Sequence, residues 1–174
     1  METNNDLVQP FKRPPGMTFL LVLSFINACL QIFGSLIMYV GTPVLEEILA
    51  SGQMEDYMGP LFNAMDEGMR EAYLAEMEFR ASINPLYYLF NVMLYIGSLM
   101  GVLKMFKLHR VGFHTYSISQ MLILINSVVF IYSNKGRTGF FSEFLTTLML
   151  ILIYHLFFKR IEMQESSKNQ DYGA

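Results

Sequence analysis

Hydrophobic positions along this chain are gathered into four long runs, and polar positions lie mostly between them. Each run is close to the ~20 residues that a helix needs to cross the hydrocarbon core of a bilayer. Glu143 is the one Asp, Glu, Lys or Arg inside them. The pattern predicts an all-α, polytopic membrane protein whose single transmembrane domain covers residues 17–160, with spans at about 17–40, 85–103, 112–132 and 139–158.

Proline, glycine and capping residues predict where helices begin and end. Pro14-Pro15-Gly16 closes a polar N-terminal tail, residues 1–16. Thr42-Pro43 predicts that the first span ends and a new helix starts, with Thr42 as N-cap and Pro43 at the first helical position. Ser51-Gly52 should end that helix, and Gly59-Pro60 should break the chain again. Asn84-Pro85 predicts the start of the second span.

The long connection between the first two spans, residues 42–83, is predicted to be a helical loop. From Leu61 to Arg80 its apolar residues recur at helical spacing, which indicates an amphipathic helix. The loop carries nine acidic residues, and Arg70 and Arg80 are its only basic ones. An acidic polar face suits capping the bundle or docking to another protein better than binding to anionic lipid.

The basic residues predict the orientation in the membrane. One side of the four spans collects Lys12, Arg13, Lys104, Lys107, Arg110, Lys159 and Arg160. Both termini should therefore be cytoplasmic, including a disordered C-terminal tail at residues 161–174, and the acidic loop should be extracytoplasmic. In hydropathy and topology the chain resembles many small four-span inner-membrane proteins of bacteria, and that resemblance implies a multi-pass protein of the bacterial inner membrane.

Polar side chains within the spans fall at one depth. Counting ~1.5 Å per residue from the span ends, Glu143 shares a level with the amides of Asn91, Asn126, Gln31 and Asn27. Such residues can be ordinary contacts between helices, or they can form a site for a proton, a cation or a ligand headgroup. We hypothesise that Glu143 is buried against Asn126 and a polar group of the first or second span.

Two histidines form a second candidate site. His114 and His155 lie just inside the same ends of the third and fourth spans, as a bis-imidazole haem site requires. No second pair exists at the other side, and histidines beside a basic turn are common. We therefore expect neither a metal nor another cofactor, and keep His114 and His155 as an alternative pair of haem ligands.

Small residues predict close packing of helices. Gly97-x-x-x-Gly101 in the second span, and Ser24-x-x-x-Ala28 in the first, allow helix backbones to approach closely. The Gly97/Gly101 face, like the acidic loop, could therefore bind a protein partner or a second copy of the chain.

Composition excludes several classes of function. The 174 residues are 53% hydrophobic and 16% charged, with a net charge of −3 and no basic stripe, so nucleic acid is not an expected partner. Cys29 is the only cysteine, which excludes an intramolecular disulfide. H-E-x-x-H, G-x-S-x-G, P-loop and Rossmann patterns are absent. We expect a non-enzymatic protein of the lipid bilayer: an accessory or scaffold subunit that presents the acidic loop, or alternatively a small transporter or channel-like protein with a polar site around Glu143.

Overall fold

The computed structural model describes residues 14–132 and 140–171, and every regular element in these two ranges is helical. The third long helix continues into a π-helical turn over Val128–Tyr132. In chain order the helices are α1 (Pro15–Ser51), α2 (Met54–Phe62), α3 (Glu67–Ala81), α4 (Pro85–Phe106), α5 (Arg110–Ser127) and α6 (Phe140–Asp171).

Four helical segments are long and apolar enough to cross a membrane. They are Pro15–Ser51, Pro85–Phe106, Arg110–Tyr132 and Phe140–Met163. The prediction of an all-α chain with four membrane-length helices is therefore confirmed.

The long helices pack in sequence order, α1 along α4, α4 along α5, and α5 more sparsely along α6. The helical segment α2–α3 lies at one end of this bundle, where α3 contacts α1. We call this the acidic end. The opposite end, where α4 turns into α5 beside Lys107 and Arg110, is the basic end.

Glycines bring α4 and α5 into backbone contact. A Cβ atom on Gly101 would lie 2.6 Å from the Tyr116 nitrogen, and one on Gly112 would lie 2.6 Å from the Met105 nitrogen. At Gly97 it would meet the Ser119 hydroxyl at 2.7 Å. The close helix approach predicted from Gly97-x-x-x-Gly101 thus occurs within the chain, between α4 and α5.

A packed core fills the bundle near the basic end. Its buried members come from α1, α4, α5 and α6, and are Met17, Leu21, Val102, Met105, Tyr116, Tyr154 and Ile161. The Ser24 and Tyr154 hydroxyls form a 2.9 Å hydrogen bond there, which joins α1 to α6.

The predicted break at Thr42-Pro43 is wrong, because α1 continues through it to Ser51. Thr42 is buried, and its hydroxyl donates to the Met38 carbonyl at 2.6 Å instead of capping a new helix. Proline removes one N–H donor, and an apolar helix tolerates that loss when nearby side chains satisfy the backbone. Gly52, in the left-handed region at φ 70°, ends the helix where the sequence predicted.

The segment after α1 also differs from its prediction. Helix α2 runs through Gly59-Pro60, so that break is wrong. The amphipathic helix starts at Glu67 rather than at Leu61, because the Asp66 carboxylate caps it by accepting from the Met69 nitrogen at 2.8 Å. The predicted start at Asn84-Pro85 is confirmed, with the Leu86 nitrogen donating to the Asn84 side chain at 3.0 Å.

The fourth long helix does not stop at Lys159-Arg160 but continues to Asp171, so the prediction of a disordered C-terminal tail is wrong over this stretch. Two contacts hold its first part. Ile161 is buried in the core, and Glu162 forms an ion pair of 3.2 Å with Arg110. The predicted N-terminal tail up to residue 13, the polar loop 133–139 and residues 172–174 lie outside the described residues.

Many large apolar side chains are exposed and several polar side chains are buried, which is the reverse of the arrangement in a water-soluble protein. The most exposed side chains include Phe141 (75%), Ile37 (69%) and Phe33 (66%), whereas Asn91 and Asn126 are buried. Apolar side chains cover the outside of all four long helices. In water such a surface would promote aggregation, whereas lipid solvates it.

Candidate functional site: a polar cavity between the four long helices

A cavity of about 400 Å³ lies between the four long helices, on the acidic-end side of the core. Amide, hydroxyl and carboxylate groups provide most of its polar lining. The lining residues are Asn27 and Gln31 from α1, Tyr87, Asn91 and Tyr95 from α4, Gln120, Ile123 and Ser127 from α5, and Glu143, Thr146, Thr147 and Leu150 from α6.

Glu143 is half-buried and accepts two hydrogen bonds, one on each carboxylate oxygen. Ser127 donates to Oε1 at 3.1 Å, and Tyr132 donates to Oε2 at 3.2 Å. The residue also lies in the first turn of α6, where free backbone N–H groups and the helix dipole favour a negative charge. Donors and helix dipole together stabilise a carboxylate at this position.

The π-helical turn explains how one helix supplies both donors. Ser127 and Tyr132 are five residues apart, which in a regular α-helix would place them about 140° apart around the axis. The wider i→i+5 turn at Val128–Tyr132 brings residues at this spacing towards the same face. Both hydroxyls can then reach the same carboxylate.

Asn126 does not contact Glu143, contrary to the hypothesis from the sequence. Its side-chain nitrogen donates to Asn91 Oδ1 at 3.0 Å and to the Tyr87 carbonyl at 3.2 Å, and both asparagines are buried. One position along a helix rotates a side chain by about 100°, so Ser127 rather than Asn126 faces α6. Asn91 lines the cavity, and Asn126 holds the Asn91 side chain in place through the hydrogen bond between them.

The α1 side of the cavity is open. Asn27 and Gln31 line the cavity and are exposed. Neither amide has a hydrogen-bond partner within residues 14–132 and 140–171. Both amides therefore offer the cavity donor and acceptor atoms that the described residues leave unused.

The cavity is closed towards the basic end. Tyr116 and Tyr154 lie one turn beyond Gln120 and Leu150 and pack edge to face, with ring centroids 5.2 Å apart. Ser24 bonds the Tyr154 hydroxyl. Access from the acidic-end half of the bundle therefore stops at these aromatic rings.

The charge in the cavity comes from a single carboxylate. Among the lining residues Glu143 is the only Asp, Glu, Lys, Arg or His. The described residues also contain no group of three or more His, Cys, Asp or Glu that could hold a metal ion. Hydroxyls and amides around one carboxylate suit a monovalent or organic cation better than a divalent metal.

His114 and His155 lie together, but at a different cavity. Both are exposed and line a space of about 360 Å³ at the basic end. The Phe113 ring packs against both imidazoles, with centroids 5.6 Å and 6.0 Å away. The equal depth predicted for these two residues agrees with this placement, and haem ligation stays a hypothesis.

Sequence reasoning found Glu143, Asn91, Gln31 and Asn27 but missed the hydroxyls that α5, its π-helical turn and α6 place around Glu143. Ser127 directly precedes the π-helical turn Val128–Tyr132 and Tyr132 ends it, and no local sequence pattern predicted that turn. Thr146 and Thr147 follow Glu143 by one turn, and that i, i+3/i+4 spacing was a usable signal.

No protein-family model matches the chain, and no curated protein or solved structure is significantly similar to it.

Proposed function

We propose that this chain is a non-enzymatic, multi-pass membrane protein that binds a small cation-bearing polar solute between its four long helices and acts as a small transporter. The observation that carries the proposal is the cavity itself, in which all four helices place polar groups around Glu143. Contacts between helices need hydrogen bonds, but they do not need a solvent-sized space with unpartnered amides.

Insertion in a bilayer is the first part of the proposal. Four helices have the required length and composition, and large apolar side chains cover their outer faces. Lipid is the solvent that suits this surface, while inside the bundle Asn126 donates to Asn91 and Gln120 donates to Ser98.

The orientation follows from the charges at the two ends. Lys104, Lys107, Arg110, Lys159 and Arg160 gather at the basic end, which we place in the cytoplasm. The acidic segment α2–α3 then lies on the outer side, and the cavity opens in the outer half of the membrane. If the protein is bacterial, we place it in the inner membrane.

One closed end distinguishes a transporter from an open channel. The Tyr116–Tyr154 pair and the Ser24–Tyr154 hydrogen bond block the path to the basic end. A solute that reaches Glu143 would cross only after α6 moves relative to α1 and α5. Helix α6 has sparse contacts with α5, so it is the element best suited to move.

A cation is the ligand class that the cavity favours. The described lining residues include no basic side chain beside Glu143, so this carboxylate would attract a positive charge, and low-dielectric surroundings strengthen such an attraction. The free amides of Asn27 and Gln31 add hydrogen bonds for the polar part of the ligand.

Thermal stability of the purified protein tests the proposal. The probes are chlorides of Na⁺, K⁺, methylammonium and tetraethylammonium, with ionic strength held constant by a bulky organic cation. At least one probe should raise the Tm of the parent and leave Glu143→Gln unchanged. Ser142→Ala, at the exposed neighbouring position, is the control and should respond like the parent. An unresponsive parent, or an equal response in Glu143→Gln, would contradict the proposal.

A second candidate function, docking of a protein partner, is favoured by the exposure of α3. This amphipathic helix has no fully buried residue, and Met69 is 58% exposed on it. A photo-crosslinker at residue 69 should then capture one defined protein in native membranes, whereas one at Thr115, near the basic end, should not. Absence of a position-specific product would remove this candidate.

A further inference from the structure

The cavity at the basic end combines several hydrogen-bond donors with an apolar wall. It lies between the start of α5 and the part of α6 beyond Tyr154, and its volume is about 360 Å³. Arg110, His114, His155 and Lys159 supply the donors, and Phe113 and Phe158 supply the wall.

Most of these donors have no partner of their own. Lys159, His114 and His155 form no ion pair or hydrogen bond with any residue in 14–132 or 140–171. Arg110 forms an ion pair with Glu162 at 3.2 Å. A guanidinium group carries five N–H donors, so one bond to a carboxylate leaves others for a ligand. The donors therefore converge on a space that a hydrogen-bond acceptor can fill.

The charge selects an anion. Among the described lining residues, Arg110 and Lys159 exceed the carboxylate of Glu162 by one positive charge, and each imidazole adds at least one N–H donor even when neutral. Arginine, lysine and histidine N–H groups around one space favour a phosphate group, whose several oxygens can accept from all of them.

The depth of the cavity agrees with this assignment. Arg110 begins α5, and Lys159 follows the last apolar run of α6, at the level where a bilayer would present its headgroups. Phe113 and Phe158 pack 5.8 Å apart on the side facing the apolar part of the bundle. If a phosphate group binds at these N–H donors, an apolar chain attached to it could lie along the Phe113 and Phe158 rings.

We propose that the Arg110/His114/His155/Lys159 cavity is a binding site for a phosphate group, carried by an anionic membrane lipid or free in solution. The site is separate from the Glu143 cavity, and its occupant has the opposite charge. The outcome of a test of this phosphate site is therefore independent of the outcome for the transporter proposal.

Native mass spectrometry and phosphorus NMR separate the two sources of phosphate. In the first arm, purified protein is titrated with phosphatidylglycerol and with zwitterionic phosphatidylcholine, and the lipid retained is counted. In the second arm, inorganic phosphate is titrated without added lipid. Selective retention of phosphatidylglycerol supports a lipid site, and saturable binding of inorganic phosphate supports a site for the free anion.

Variants connect either result to this cavity. The double variant His155→Gln/Lys159→Gln should bind at least tenfold more weakly than the parent. Lys107→Gln, an exposed basic residue at the same end that does not line the cavity, is the matched control and should bind like the parent. Circular dichroism and gel filtration check that each variant remains folded, and His155→Gln alone serves if the double variant does not fold.

Three outcomes would overturn the proposal. One is binding of neither phosphatidylglycerol nor inorganic phosphate beyond that of phosphatidylcholine. Another is an equal loss of binding in Lys107→Gln, which would show that net charge alone attracts the anion. The third is a haem Soret band that disappears in His114→Ala or His155→Ala, which would assign the imidazoles to iron.

Discussion

Tyr132 and Glu143 are joined by a 3.2 Å hydrogen bond between the π-helical end of α5 and the first turn of α6. Ser127, at the start of the same π-helical turn, donates to the other carboxylate oxygen at 3.1 Å. Among the described residues, the acid is thus held by two neutral hydroxyl donors. Through these two bonds Glu143 connects the two helices that border the cavity.

Substitutions of Glu143 should separate the structural role of this residue from its charge. Glu143→Gln keeps the shape and one acceptor oxygen, and its NH2 group can donate to the other hydroxyl once that hydroxyl rotates to accept, so the free energy of unfolding should fall by less than about 1 kcal/mol. Glu143→Leu leaves the Ser127 and Tyr132 hydroxyls without their acceptor and should cost about 1–3 kcal/mol. Unfolding in detergent measures both, with Ser142→Ala as control. If Glu143→Leu is as stable as the parent, these hydrogen bonds contribute nothing to the fold.

The close approach of α4 and α5 should make Gly101 sensitive to a single added carbon. A Cβ atom there meets the backbone of Tyr116 at 2.6 Å and of Gly112 at 2.9 Å, so the helices must move apart. Gly101→Ala should therefore lower the free energy of unfolding by about 1–3 kcal/mol. The effect of Gly97→Ala should be smaller, because the Ser119 hydroxyl that it meets can rotate away.

Gly34→Ala is the matched control for these variants, because nothing lies within 4 Å of a Cβ atom at that position of α1. It should leave stability unchanged or raise it slightly, since alanine favours the helix more than glycine does. Equal effects at Gly34 and Gly101 would show that helix packing is not the cause.

The Asn91–Asn126 hydrogen bond should appear as a coupling energy in a double-mutant cycle. The cycle consists of Asn91→Ala, Asn126→Ala and the double variant, each measured by unfolding in detergent. Hydrogen bonds between membrane helices average about 0.6 kcal/mol and reach about 1.7 kcal/mol. This buried pair, 3.0 Å apart, should lie in that range. Additive effects would mean that the two amides act independently.

Depth along the helices was predictable from the sequence because the rise per residue is nearly constant. Counting residues from the span ends placed Gln31, Asn91 and Glu143 at one level, and all three line one cavity. The rotation of side chains about a helix axis was less predictable. At Asn126 and Ser127 it depends on how α5 packs between α4 and α6, so the partner of Glu143 was assigned to the wrong neighbour.

Two helix boundaries predicted from prolines were wrong, because tertiary packing again decided the structure at the first of them. Thr42-Pro43 and Gly59-Pro60 both read as helix breaks, yet α1 and α2 run through them. Local propensity gives way where packing holds the helix, as the burial of Thr42 shows at the first of these sites. Where a side chain could complete the cap, as at Asn84, the local signal was correct.

Cysteine labelling tests the orientation. In a Cys29→Ser background, single cysteines replace Gln53 at the acidic end and Lys107 at the basic end, both exposed positions. A membrane-impermeant maleimide applied to intact cells should label the cysteine at residue 53 and reach the one at residue 107 only after lysis. The reverse pattern would invert the topology, and labelling of both in intact cells would contradict membrane insertion between them.

Chemical protection of Glu143 is the most direct test of the central claim that the cavity binds a cation at this carboxylate. Purified protein is treated with an apolar carbodiimide, with and without Na⁺, K⁺, methylammonium or tetraethylammonium, and the modified fraction of Glu143 is read from the peptide mass. The account predicts that Glu143 is modified and that the cation which raises the Tm also protects it. Protection should weaken in Asn27→Ala/Gln31→Ala, which removes the free amides but leaves the carboxylate. Modification of Glu143 to the same extent with and without every cation would contradict the account.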